Sequence, residues 1–140
     1  MTLNRLVAGM LASAALLACI SAPAALAHET GNATVIQLRK QALPDAPGKN
    51  VIMVTVNYAP GQASDPHVHP GSVFAYVLEG EVISQLEGQE PVTYKAGDYW
   101  YETPKIGHLV SRNASSTKPA KLLVWLLVGD GEQLKLPISK

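Results

Sequence analysis

The stretch Gly61-Gln-Ala-Ser-Asp-Pro-His67-Val-His69-Pro-Gly-Ser-Val73-Phe-Ala-Tyr-Val-Leu-Glu-Gly80 decides how this chain is read. Two histidines stand two apart, at His67 and His69. In extended backbone, side chains two apart share a face. Both imidazoles can therefore address one point in space, as two ligands of one metal ion must. Asp65-Pro66 keeps the chain before them extended and out of helix. Val73 to Leu78 is a β-branched and aromatic run closing on Glu79-Gly80, so the pair is expected at the start of a buried strand. If His67 and His69 face inward, alternation sends Val73, Ala75 and Val77 inward too, and Phe74 and Tyr76 to the opposite face.

The flanking sequence continues in the same idiom. Thr34–Leu38, Val51–Tyr58, Val82–Leu86, Pro91–Tyr94, Tyr99–Glu102 and His108–Arg112 each read as short strands bounded by turn residues. Glu87-Gly88-Gln89-Glu90 joins two of them as a hairpin. Lys121–Val128 is long and apolar, and periodicity alone leaves strand and helix both open there. Trp125 within it is expected in the core, and residues 134–138 are expected as an edge strand. About eight strands with frequent turns and no amphipathic helix predict an all-β sandwich or barrel.

Residues 1–27 read as a leader rather than as fold. Arg5 supplies an early positive charge, Leu6 to Ile20 is apolar or small, and Ala25-Leu26-Ala27 has the form of a signal-peptidase site. The apolar run is shorter than the roughly 20 residues a membrane span requires. Residues 28–140 then form one barrel domain, exported to the periplasm or secreted. Leu16-Leu17-Ala18-Cys19 offers a second route, since it resembles a lipobox through which Cys19 would anchor the protein to a membrane. Cys19 is the only cysteine, so after cleavage at Ala27 no disulfide, thiolate ligand or cysteine nucleophile is available. Cleavage removes a single base, Arg5, and leaves ten basic against eleven acidic residues. That balance gives no reason to expect nucleic acid as a partner, or a membrane other than through Cys19.

Two histidines remain. His28 would become the N-terminal residue, where amine and imidazole together chelate Cu(II), although a solvated terminus is the plainer reading. His108 follows the bend Pro104-Lys-Ile-Gly107 at the entry to an alternating segment, the same local setting as the first pair. A third histidine in matching context favours a metal site over three unrelated polar residues.

With these residues in place, the chain resembles the cupin superfamily. Gly61, His67, His69 and Gly80 fall at the spacing of the first cupin motif, Gly-x5-His-x-His-x3-Glu-x6-Gly. Gly97, Asp98, Pro104, His108 and Asn113 resemble the second motif more loosely. In the second, Pro104 and Asn113 are each one place late, and Lys105 stands where a glycine is usual. The resemblance implies a single-domain RmlC-like jelly-roll barrel. It also implies His67, His69 and His108 as metal ligands, and favours a homodimer through an edge strand such as the 34–50 segment. One departure matters: the glutamate ligand of the motif falls on Val73, and Glu79 and Glu81 lie at the far end of the strand. The implied centre is three imidazoles holding one divalent ion, with Fe, Zn, Ni, Cu and Co better suited than Mn or Mg. The opposing reading is a barrel whose histidines no longer hold an ion.

Three-histidine members of the family include dioxygenases, so the expected function is a metal-dependent, dioxygenase-type oxidoreductase acting on a small chelating molecule. The alternative is a non-catalytic cupin module that binds a small ligand or metal. Tyr99 and Tyr101 share one face of their strand, and Trp100 and Glu102 the other. Tyr101 as proton donor and Glu102 as base are the catalytic candidates, against a plain packing role for both.

Overall fold

The computed structural model describes residues 32–138. The expectations for the leader, Cys19 and His28 lie outside the described residues. Eleven strands follow one another: β1 (Thr34–Ala42), β2 (Lys49–Tyr58), β3 (Ala63–Ser64), β4 (His67–Val68), β5 (Val73–Glu79), β6 (Glu81–Leu86), β7 (Val92–Lys95), β8 (Tyr99–Glu102), β9 (Gly107–Asn113), β10 (Ala120–Gly129) and β11 (Leu136–Pro137). They form two antiparallel sheets. The first runs β1-β2-β10-β5-β8 and the second β11-β4-β9-β6-β7, with β3 also paired to β9. The all-β jelly roll expected from the sequence is the fold observed. Among the described residues, no helix is long and apolar enough to cross a membrane.

Alternation places the core. In β10, Ala120, Leu122, Val124, Leu126 and Val128 are buried while the residues between them face away. In β5, Val73, Ala75 and Val77 are buried, and Phe74 and Tyr76 are exposed, as the parity of the histidine stretch predicts. Val77 and Val82 are fully buried. Each such side chain contributes about 1.5–3 kcal/mol on burial. The apolar interior comes mostly from the first sheet, and Val82 is the main contribution of the second.

Two expectations are corrected. The 121–128 segment is strand β10, but Trp125 is not core: it is 36% exposed on the outer face. Register explains this. Val124 lies opposite Ala75 and Leu126 opposite Val73, both inward, so Trp125 must turn outward beside its partner Phe74. The histidine stretch is also not one strand. β4 belongs to the second sheet and β5 to the first, so the chain changes sheets at His69–Ser72. Pro66 and Pro70 bracket the short β4 and limit its pairing. Gly71 then passes so close to β10 that a Cβ there would overlap the Leu127 carbonyl oxygen. Only glycine permits that crossing.

Candidate metal centre

The crossing brings the histidines to the space between the sheets. His67 on β4 is the register partner of His108 on β9, and His69 follows β4 directly. His67 and His108 are buried, and His69 is half-buried. One ring nitrogen from each of the three lies within 4.8 Å of the others, a grouping able to hold a metal ion.

The hydrogen bonds fix how two of the rings present themselves. His67 Nδ1 lies 2.6 Å from the Asp65 carbonyl oxygen, and His69 Nδ1 lies 2.5 Å from that of Leu134. A carbonyl only accepts, so each Nδ1 carries the proton and each Nε2 is left with a bare lone pair. Those two Nε2 atoms face each other at 3.1 Å. Two acceptors at that distance repel, and a cation between them removes the conflict. Two nitrogens bound at about 2.0–2.1 Å to one ion stand about 2.8–3.0 Å apart in octahedral and about 3.3–3.4 Å apart in tetrahedral geometry. The protonated Nδ1 bonded to a carbonyl is the arrangement that typically orients metal-ligating histidines. Burial holds the His67 pKa down to about 4, and burial also lowers that of His69, so both rings are neutral, the ligating form, at neutral pH.

His108 is held differently. Its Nε2 lies 2.8 Å from Ser84 Oγ on β6 and its Nδ1 3.2 Å from Glu102 Oε1 on β8. Either contact yields if that nitrogen turns to an ion. Glu102 is 2% exposed, and it is the only buried Asp, Glu, Lys or Arg among the described residues. Burial opposes its ionisation most strongly, but the hydrogen bond and charge of His108, with His69 and the Trp100 indole N–H, outweigh it and leave the carboxyl below its ordinary pKa. The Trp100 Nε1–H donates to Oε1 at 2.9 Å. Oε2 is buried with no hydrogen-bond partner and lies 3.8 Å from His69 Nε2. A carboxylate therefore stands beside the three rings, although the cupin glutamate position holds Val73.

These groups open on a cavity of about 260 Å³. Val54, Val73, Ala75 and Leu122 form one wall, while Val35, Leu134 and Lys135 also line it. Of the two expected catalytic candidates, Glu102 reaches the cavity and Tyr101 does not. Tyr101 is 43% exposed on the outer face, and its hydroxyl bonds Ser72 Oγ at 3.0 Å. Alternation in β8 allows only one of the two pairs inside, and the pair is Trp100 with Glu102. Glu79 and Glu81 are exposed.

The sequence reading missed Tyr58, whose buried hydroxyl bonds Ser64 Oγ at 2.9 Å and Ser111 Oγ at 2.8 Å at the cavity wall. Burial raises its pKa, so it is a neutral hydroxyl at neutral pH. Its place at the end of the inward series of β2 was the available signal. The Asp65 and Leu134 carbonyls had none, since backbone acceptors carry no sequence signature.

Comparison with known proteins agrees with this architecture. The model of the cupin domain family matches residues 54–126. No curated protein is matched. Among solved structures, the DMSP lyase DddQ from Ruegeria pomeroyi superposes with a TM-score of 0.61 at 23% identity, over 76% of this chain and 51% of that one. This chain thus spans about half the length of that lyase. TT1209 from Thermus thermophilus is 29% identical, with a TM-score of 0.54 over 68% of this chain and 82% of that one. A cupin-like protein from Thermotoga maritima is 24% identical, with a TM-score of 0.57 over 69% of each chain. With more than half of its residues matched by the family model and a two-sheet barrel shared with these structures, the chain belongs to the cupin domain family.

Proposed function

We propose that this protein is an exported, metal-dependent cupin that oxidises a small chelating molecule with O2. The observation that carries the metal part is the pair of bare Nε2 lone pairs 3.1 Å apart, each fixed by a carbonyl on the far side of its ring. His67, His69 and His108 would hold one divalent transition ion, Fe, Zn, Ni, Cu or Co. When bound, the ion supplies Lewis acidity and open positions for an enediol, diketone, phenol or thiol.

The chain's own residues do the rest. Val54, Val73 and Leu122 exclude water and set an apolar chamber. Its volume lies below the roughly 300–1,000 Å³ usual for drug-sized ligands, which favours a small substrate. Lys135 at the lining adds a cation that favours an anionic group on that substrate. The Tyr58 hydroxyl offers a proton donor inside the same cavity.

Elemental analysis of the protein, purified without chelators, tests this first. About one equivalent of transition metal, lost in the His67→Ala/His69→Ala variant with the fold kept, is the expected result. O2 uptake on adding catechols, diketones or thiols should follow. Metal without O2 uptake would leave a binding module. No metal, and none taken up on adding Fe(II), Ni(II), Cu(II) or Zn(II), would end the metal reading.

A further inference from the structure

The inner face of the first sheet is almost wholly apolar, yet it carries one acid. Glu102 on β8 is the register partner of Val73 on β5, the position where the cupin pattern has its glutamate. Both side chains face inward and are buried, at 2% and 1% exposure. Directly opposed residues of an antiparallel pair have Cβ atoms about 4.5–5.5 Å apart. A carboxylate on β8 therefore reaches space that a carboxylate at position 73 would fill.

We propose that Glu102 is an inner-sphere ligand of the metal, a carboxylate relocated from β5 to the adjacent strand. The proposal rests on the metal reading above and adds a fourth protein ligand to it.

Three observations support the assignment. Glu102 has divided its oxygens: Oε1 takes the Trp100 N–H and lies by His108, while Oε2 has no partner. An orphaned buried carboxylate oxygen is costly unless something cationic meets it. The orphan lies 3.8 Å from His69 Nε2, the nitrogen left without a proton. Finally, Trp100 fixes the carboxylate from its own strand face, two residues away, so its orientation does not depend on an ion.

A carboxylate ligand changes the choice of ion. Three neutral imidazoles leave a divalent ion with its full charge, and one anionic oxygen halves it. Oxygen donors also favour harder ions, so Mn(II) and Fe(II) should bind better than to three histidines alone.

The test titrates metal-free full-length protein with Mn(II) and, separately, Co(II). Wild type, Glu102→Gln, His67→Ala and the exchanged variant Val73→Glu/Glu102→Val are compared. Glutamine keeps the shape and an acceptor for the Trp100 N–H. The expected result is one site in wild type, none in His67→Ala, and Mn(II) affinity lowered at least about 100-fold in Glu102→Gln, beyond the upper range for losing a mere supporting contact. The exchanged variant should regain most of that loss. Metal-induced infrared difference bands of a coordinated carboxylate should appear in wild type and vanish in Glu102→Gln.

Mn(II) affinity of Glu102→Gln within about tenfold of wild type, the lower range for a supporting contact, overturns the assignment while leaving the three-histidine site intact. If Glu102→Gln does not fold, absence of the carboxylate bands from wild type overturns it. Wild type that binds neither ion overturns the metal reading itself.

Discussion

The two inner walls of the barrel differ. The first sheet faces the interior with Ile52, Val54, Val73, Ala75, Val77, Leu122, Val124 and Leu126. The second faces it with His67, Ser84, His108, Ser111 and Asn113, relieved mainly by Val82. One wall is built for stability, and the other gathers the polar groups of the candidate site. The polar wall is tolerable because, the facing Nε2 atoms of His67 and His69 aside, its groups are paired. Asn113, for example, donates its amide to the carbonyls of Ala59 and Lys118 at 3.0 and 2.7 Å. The apolar wall in turn gives the histidines a dry surface to face. Glu102 breaks the division, as the one acid on the apolar side.

The sharpest way to test this division is to damage each wall separately. Leu122→Ala should lower unfolding stability by about 2–5 kcal/mol, because a buried side chain is lost and a cavity remains. Metal stoichiometry should stay at one. His67→Ala should do the reverse, losing the metal while changing metal-free stability by less than about 1 kcal/mol. Denaturant unfolding with metal analysis of both variants checks the pair. A His67→Ala protein as unstable as Leu122→Ala would mean that the polar wall carries the fold as well.

Acid should expose the polar wall alone. His67 titrates near 6.5 when unfolded and at about 4 when folded. Its contribution is fully present above pH 6.5 and is lost as pH falls towards about 4, because the unfolded chain then binds the extra proton. The shift corresponds to a loss on the order of 3 kcal/mol at most. Burial moves His69 in the same direction. Metal-free wild type should therefore lose stability between about pH 6.5 and pH 4, and His67→Ala should lose less. Parallel curves would assign the acid sensitivity to other groups.

The smallest expected effect lies at the seam between the walls. Lys105 is the only non-glycine residue among those described with a positive φ, 66°. It stands where the cupin pattern has glycine, and its N–H donates to the His69 carbonyl oxygen at 2.8 Å. Left-handed backbone costs a side-chain-bearing residue about 1–2 kcal/mol, partly offset by the unfolded entropy that glycine brings. Lys105→Gly should stabilise the protein by about 0.5–1 kcal/mol with metal binding unchanged, as thermal unfolding would show.

The apolar wall was legible in the sequence because strand parity is a local property. The positions of Val73, Ala75 and Val77 followed from alternation once one face was chosen. Trp125 follows parity rather than residue type: Val124 and Leu126 on either side turn inward and send it outward. The polar wall was legible only in part. His67, His69 and His108 were marked by spacing and context, but their meeting depends on β4 joining a different sheet from β5. The placing of Glu102 opposite Val73 depends on the pairing of β5 with β8, residues about 30 apart in sequence, which alternation does not encode. The oxygens that orient His67 and His69 belong to the backbone, and no residue type announces them.

The bond from His69 to Leu134 also has a consequence for the order of synthesis. The three histidines leave the ribosome before residue 134 does. Until the later segment docks, nothing tells the His69 ring which nitrogen to present, and an ion met by the growing chain finds an imidazole free to offer either one. Any preference for one geometry, and so for one kind of ion, would belong to the chain only after Leu134 is in place. A choice of metal at these histidines would be made by the finished fold, in whichever compartment that fold is finished.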